Sequence, residues 1–131
     1  MLLSLISIWV GVIIFFSSVI APTVFSSVDE KNAGLFLRAF FPKYYIFGII
    51  IGFLSLLVIL IFENQFSGIH LYLTSAMLLI YITSRLMIPA INKSRDAGES
   101  AKKKFNRLHL LSVILNFVTL LIGILLIYLI I

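Results

Sequence analysis

Polar side chains that could bind a ligand interrupt the last apolar run of this 131-residue chain. The stretch RLHLLSVILN, residues 107–116, places a histidine, a serine and an asparagine among aliphatic residues. An unsatisfied polar group in hydrocarbon costs several kcal/mol, so each group needs a partner or a ligand. Because a helix advances about 100° per residue, six residues in and beside this run share an arc of roughly 80°. This polar stripe, which we expect to face a bundle interior, consists of Phe105, His109, Ser112, Asn116, Thr119 and Gly123.

The preceding apolar run carries a second set of polar residues. Their spacings of seven, four and seven residues place them on one helical face: Thr74, Tyr81, Arg85 and Asn92. One hypothesis is a small transport or lipid-handling site in which this face meets the polar stripe. Arg85 would attract an anionic head group and Arg107 would stand at the entry. In the alternative, the polar groups only join neighbouring helices, and the arginines reach out to lipid phosphates.

The elements that must position these residues follow from composition. The chain is 62% hydrophobic and 11% charged, with a mean hydropathy of +1.20, against roughly 45–50% apolar residues in soluble domains. Four apolar runs each approach the roughly 20 residues that a membrane-crossing helix needs. The sequence therefore predicts an all-α fold, an integral membrane four-helix bundle that forms a single domain over residues 1–131. The predicted spans are residues 2–28, 43–62, 69–91 and 108–131.

Charge placement predicts an orientation. All ten lysines and arginines lie on one side, in the connections between the first and second and the third and fourth spans or at the span ends beside them. The positive-inside rule therefore places both connections in the cytoplasm and both termini on the non-cytoplasmic side of the inner (plasma) membrane. The first span has no preceding basic residue and is long for a cleaved signal peptide, so we expect it to stay. The net charge of +5 is explained by topology and lipid head groups, and we expect no nucleic-acid partner.

Small residues predict where helices pack. In the first span, Gly11 and Pro22 fall on a stripe with Ser4, Ser7 and Ser18, and Pro22 predicts a kink. In the second span, Gly48 and Gly52 form a G-x-x-x-G pattern that allows close helix approach. We favour packing within the chain over a dedicated dimer contact.

Other kinds of site find little support. The chain has no cysteine, which excludes thiolate metal sites and thiol catalysis, and we expect no cofactor and no enzyme activity. A haem or metal protein is an alternative, yet His70 and His109 begin spans at opposite membrane faces, roughly 30 Å apart. An accessory subunit of a membrane complex is a further alternative. The expected partners are membrane lipids, with a homo-oligomer or another membrane protein as possibilities.

Several segments together resemble a known family. They are WVG, APTVF, AGLFLRAFFPKYY, PAIN and the run around RLHLLSVILN. They are similar to bacterial membrane proteins of unknown function related to human transmembrane protein 205. The resemblance implies four helices and matches Gly11, Pro22, Gly34, Phe41, Pro42, Tyr45, Pro89, Asn92, Arg107, His109, Ser112 and Asn116. No catalytic or binding role is established at these positions, so the resemblance assigns none here.

Overall fold

The computed structural model describes residues 1–62 and 64–131, and this part of the chain is helical with no strand. Its α-helices are α1 Leu2–Phe15, α2 Ala21–Ser27, α3 Glu30–Ile61, α4 Gly68–Asp96 and α5 Lys102–Ile130. A π-helical turn, Phe16–Ile20, joins α1 to α2, so these three pieces form one rod. The four rods are each long and apolar enough to cross a membrane. The predicted all-α fold is confirmed, and so are four helices long and apolar enough to cross a membrane.

The π-helical turn lies directly before Pro22 in the chain. The Ala21 N–H donates to the Phe16 carbonyl, five residues back instead of four. Proline lacks an N–H and its ring crowds the carbonyl four residues earlier, so a wider turn before it relieves both problems. Pro22 itself lies in the first turn of α2 and is exposed.

The second rod begins much earlier than its apolar run. Asp29 caps α3, because its carboxylate accepts the backbone N–H of Asn32 at 2.8 Å. The connection between the first two spans is therefore mostly helix, and α3 has 32 residues. Pro42, which directly precedes the predicted second span, lies inside α3. Membrane helices tolerate an internal proline where neighbouring groups satisfy the freed carbonyl.

Short turns complete the chain. At one end of the bundle, the Gln65 N–H donates to the Phe62 carbonyl at 2.8 Å, whereas Glu63, predicted in the same turn, lies outside the described residues. His70 Nδ1 accepts the Ser67 N–H at 3.1 Å and so caps α4. At the other end, Gly98 adopts a φ of +70° between α4 and α5, a conformation that glycine adopts without strain.

The rods form a ring in the order α1, α3, α4, α5, with α1 also beside α5. Along the bundle axis, the core lies in the half that contains α1, and α2 lies in the other half. There Trp9 is fully buried, and its ring lies edge-on to Tyr81 with centroids 5.0 Å apart.

Glycines make room for this core. A Cβ at Gly48 would overlap the ring of Tyr81, and one at Gly52 would lie 3.0 Å from Trp9 Cη2. A Cβ at Gly11 would meet nothing within 4 Å. The expected packing stripe of the first span is therefore wrong within this chain, because Gly11 and Pro22 face outward and larger side chains fill the buried face.

Candidate functional site

A large cavity occupies the end of the bundle that carries the lysines and arginines, here called the basic end. Its volume is about 1180 Å³, and residues of all four rods line it. At this end α2 diverges from the ring: in the described chain, no Cα atom of α2 lies within 8 Å of a Cα atom of α5. The neighbouring α1, by contrast, packs against α5. The cavity therefore opens sideways, between α2 and α5, onto the outer surface of the bundle.

One wall of this cavity is aromatic. Phe16 begins the π-helical turn and stacks on Phe40 with ring centroids 5.1 Å apart. Phe41 stacks on Tyr45 at 5.9 Å. Phe16, Phe41 and Tyr45 all line the cavity, and the contacts of Phe16 with Phe40 and Phe41 join the first rod to α3. This wall suits the apolar part of a ligand.

The opposite wall is polar and comes from α4 and α5. Asn92, Asn106, His109 and Ser112 line the cavity. The Ser112 hydroxyl donates to the His109 carbonyl at 2.7 Å, so its proton is already used within α5. The amide and imidazole groups on this wall are left to contact a ligand.

Arg95 is the cation at this wall. One of its Nη atoms donates to the Gly34 carbonyl across the cavity at 3.4 Å. The guanidinium lies 5.0 Å from the centre of the Phe105 ring, a cation–π contact. Phe105 in turn stacks on His109, with centroids 5.7 Å apart and ring planes 9° apart. These contacts hold Arg95 in place through groups other than carboxylates.

Some of the other charges at the cavity rim are paired, whereas Asp29, Glu30 and Lys31 also line the cavity and belong to neither pair. Among the described residues, the ion pairs are Arg38 with Asp96 at 2.6 Å and Lys102 with Glu99 at 3.8 Å. No carboxylate in this part of the chain forms an ion pair with Arg95. Among the described residues that line the cavity, Arg95 and Lys31 are therefore the cations available to an anion, and Arg95 is the one on the polar wall.

The Arg38–Asp96 pair leads to a pH prediction. Both side chains lie beyond the apolar spans, and the hydrogen bond from Arg38 holds the pKa of the Asp96 carboxyl below its usual range. A carboxyl pKa that is lower in the folded state stabilises the fold at neutral pH, and this contribution disappears as the pH falls through the lowered pKa. We expect Arg38→Gln to raise the pKa of Asp96, measured by NMR titration of its carboxyl carbon. Lys102→Gln, the control, should leave it unchanged, and an unaltered pKa in Arg38→Gln would contradict the pairing.

Three polar side chains join the helices below the cavity. Tyr81 donates its hydroxyl hydrogen to the Tyr44 oxygen at 2.9 Å, and Tyr44 donates to Asn116 Oδ1 at 2.8 Å. This cluster connects α4, α3 and α5. A niche of about 40 Å³ lies above Asn116, between Phe16, Phe41, Tyr45, His109, Ser112 and Val113. All six of these residues also line the large cavity, so the niche forms the deep end of that cavity.

The structure brings some of the predicted site residues together and separates others. Asn92, His109 and Ser112 line the cavity, and Asn116 lines its niche. Thr119 is buried and donates to the Leu115 carbonyl at 2.9 Å, away from the cavity. Arg85 and Arg107, which we expected at the mouth, do not line the cavity in the described chain. The expected meeting of Arg85 with the polar stripe stays a prediction, and the cavity lining does not support it.

Sequence reasoning missed Arg95. It follows Asn92 by three residues, a spacing that places two side chains on one face of a helix. This spacing could have indicated Arg95 as a site residue. Hydropathy assigns it to a connection, because it follows the end of the apolar run. α4 continues to Asp96, so Arg95 lies on the helix.

The described residues contain no group of three or more His, Cys, Asp or Glu side chains that could hold a metal ion. His70 caps α4 at the far end of the bundle, and His109 lines the cavity at the basic end. The two histidines are therefore separated along the bundle. A site that used both in one chain is not available in this fold.

Four long apolar helices around a buried core define the class of helical membrane proteins. A family model described as a domain of unknown function (DUF4149) matches residues 4–100, well over half of the chain. The chain belongs to this family. The matched range includes Asn92 and Arg95 and ends before α5. No curated protein and no solved structure matches the chain.

Proposed function

We propose that this protein binds a phosphate-headed membrane lipid in the cavity at the basic end. The head group contacts Arg95, and the acyl chains leave between α2 and α5 into the bilayer. One observation carries this proposal: the cavity combines an arginine without a carboxylate partner, an aromatic wall and a sideways opening. A ligand that is charged at one end and apolar at the other fits this combination.

The size of the cavity supports a lipid over a compact polar solute. Sites for small molecules are typically enclosed and measure roughly 300–1000 Å³. This cavity measures about 1180 Å³ and has a gap between two helices. Through such a gap, a lipid can present its head group to protein while its chains remain in hydrocarbon.

The chemistry of Arg95 supports a phosphate. A guanidinium binds phosphate oxygens with two parallel hydrogen bonds and is weakly hydrated, so it suits a partly buried site. In the structure Arg95 makes one long hydrogen bond to the Gly34 carbonyl, which a phosphate could replace. Asn92, Asn106 and His109 offer further polar groups on the same wall.

The orientation of the protein completes the proposal. We propose that the protein lies in the inner (plasma) membrane. Under the positive-inside rule, the ten basic residues support a basic end that faces the cytoplasm. The lipid would then come from the cytoplasmic leaflet. Basic pockets between helices on this side are a common site for anionic head groups.

We extend the proposal to the proteins related to human transmembrane protein 205. The motifs quoted above support this relation. Of the positions that carry the resemblance, Asn92, His109 and Ser112 line the cavity and Asn116 lines its niche. A lipid site shared among these proteins would explain why these matched positions lie together at the cavity.

A matched set of arginine variants tests the function. We expect Arg95→Gln to weaken binding of dioleoyl phosphatidylglycerol at least tenfold, because a hydrogen bond to a charged group contributes about 1.5–3 kcal/mol. Native mass spectrometry of the full chain, titrated with this lipid, measures the affinity. Arg85→Gln and Arg107→Gln remove the same charge from residues outside the cavity wall and should change binding less than threefold. Equal losses in all three variants would contradict the cavity site, because they would indicate a general surface charge effect.

A further inference from the structure

Asn116 carries a pair of hydrogen-bond donors on a side chain that lines the niche. Its Oδ1 accepts from Tyr44 at 2.8 Å, and Tyr81 lies within 3.5 Å of the same oxygen. In the described chain, no protein acceptor receives a hydrogen bond from Asn116 Nδ2. The Nδ2 group belongs to a side chain that lines the niche.

The two tyrosines fix which way the amide faces. Each tyrosine hydroxyl has one hydrogen to donate, and the sequence of bonds from Tyr81 to Tyr44 to Asn116 uses both. Were the amide reversed, Nδ2 would donate to Tyr44, Tyr44 would donate to Tyr81, and the Tyr81 hydrogen would be left buried without an acceptor. A buried unsatisfied donor costs about 1–3 kcal/mol. The observed orientation is therefore the stable one, and it turns the amide hydrogens away from the tyrosines.

The niche has room for one acceptor group. Its volume of about 40 Å³ exceeds the roughly 10–15 Å³ that a single water needs by the same measure. The neighbouring Ser112 hydroxyl already donates to the His109 carbonyl, so Asn116 supplies a free donor at this depth, beside the Tyr45 hydroxyl and the His109 ring. An unsatisfied amide within the span would be costly, which favours an acceptor in the niche.

The depth of the niche relates it to the head-group site. Arg95 contacts Phe105, and Phe105 stacks on His109. Asn116 follows His109 by seven residues, roughly 10 Å along the helix. Side chains of α5 lean toward its N-terminus, so the Asn116 amide lies closer to the basic end than its Cα. In a glycerophospholipid the ester carbonyls lie on the chain side of the phosphate, which is the direction of Asn116.

We infer that the Asn116 amide donates a hydrogen bond to an ester carbonyl of the bound lipid and selects acyl lipids over ether lipids. This inference rests on the proposed function, since it names the lipid class that the same cavity takes. The carbonyl satisfies the amide, while the phosphate contacts Arg95. Asn116 thereby accepts a hydrogen bond from the tyrosine cluster and donates one to the ligand.

The test compares two lipids that differ only at the ester. Native mass spectrometry of the full chain is carried out with dioleoyl phosphatidylglycerol and with its dioleyl diether analogue. We expect the wild type to bind the diester about three- to tenfold more tightly, the size of one hydrogen bond. In Asn116→Leu, the ratio should fall close to one. Because the ratio is taken within one variant, any loss of folded protein cancels.

Thr119→Val is the matched control, since Thr119 lies on the same helix and, within the described chain, its hydroxyl bonds to the Leu115 carbonyl alone. Its diester-to-diether ratio should equal that of the wild type. Equal binding of both lipids to the wild type, with Arg95→Gln still weakening both, would overturn the role of Asn116 and leave the head-group site standing. Binding of neither lipid, or binding that does not depend on Arg95, would overturn the proposed function and this inference with it.

Discussion

Gly48→Val will destabilise the bundle strongly. A Cβ at this position would overlap Cε1 and Cδ1 of Tyr81 and lie 2.8 Å from Trp9 Nε1. Both rings are buried, at 1% and 0% exposure, so neither can turn into solvent to make room. Overpacking a core typically costs about 1–3 kcal/mol and sometimes more. Because two rigid rings must move together, we expect a loss of about 3 kcal/mol or more, measured as a lower melting temperature in detergent.

Gly11→Val is the matched control for this variant. It adds the same side chain to another glycine of a membrane-crossing helix, at a position with no atom within 4 Å of the new Cβ. The melting temperature should stay close to that of the wild type. Equal losses from the two substitutions would show that valine is unfavourable in these helices generally and would contradict the packing at Gly48.

Trp9→Ala should have a comparable effect through the opposite mechanism. Trp9 is fully buried and packs edge-on against Tyr81 and over Gly52. Truncation of a large buried aromatic residue costs about 3–5 kcal/mol, since contacts are lost and a cavity remains. We expect a fall in melting temperature as large as that of Gly48→Val, because the tryptophan holds α1 against α3 and α4.

Phe15→Ala is the matched control. It distinguishes the effect of removing a buried aromatic residue from the effect of removing any aromatic residue. Phe15 lies on the same helix but is 55% exposed on the outer surface. Its truncation should lower the melting temperature by a small fraction of the Trp9→Ala effect. Should the two variants melt together, Trp9 would not be part of the core that the structure describes.

The apolar runs were sufficient to predict four helical crossings, because a helix that spans a bilayer must hide its backbone within roughly 20 apolar residues. The ends of these helices were less predictable. α3 begins at Glu30 and α4 extends to Asp96, well into polar sequence. In those extensions, helix caps and contacts between rods decide the structure, and hydropathy carries no information about either.

Part of the cavity wall was also predictable. The arc of the polar stripe follows from helical geometry, and His109 and Ser112 do share the cavity wall. The partners across the cavity were not predictable in the same way. Arg95 reaches it because α4 continues past its apolar run, whereas Arg85 lies on a different part of that helix.

The stripe of small residues on the first rod shows a further limit. Small size permits a close helix contact and does not require one. Here the buried face of α1 carries Trp9 and aliphatic residues, and the glycines that accommodate them lie on α3 and α5. Close packing needs a small residue on one helix opposite a large one on the next, and a single sequence segment reports only half of that match.

The π-helical turn at Phe16–Ile20 also changes how related sequences should be aligned. It holds one residue more than an α-helical turn, so residues before and after it differ from a continuous α-helix by one position, or about 100° of rotation. A relative with one residue fewer in this segment could form an unbroken α-helix. Its counterpart of Phe25, which lines the cavity here, would then point in another direction. The length of this five-residue segment is therefore a marker, readable from sequence alone, for whether a relative keeps the same opening.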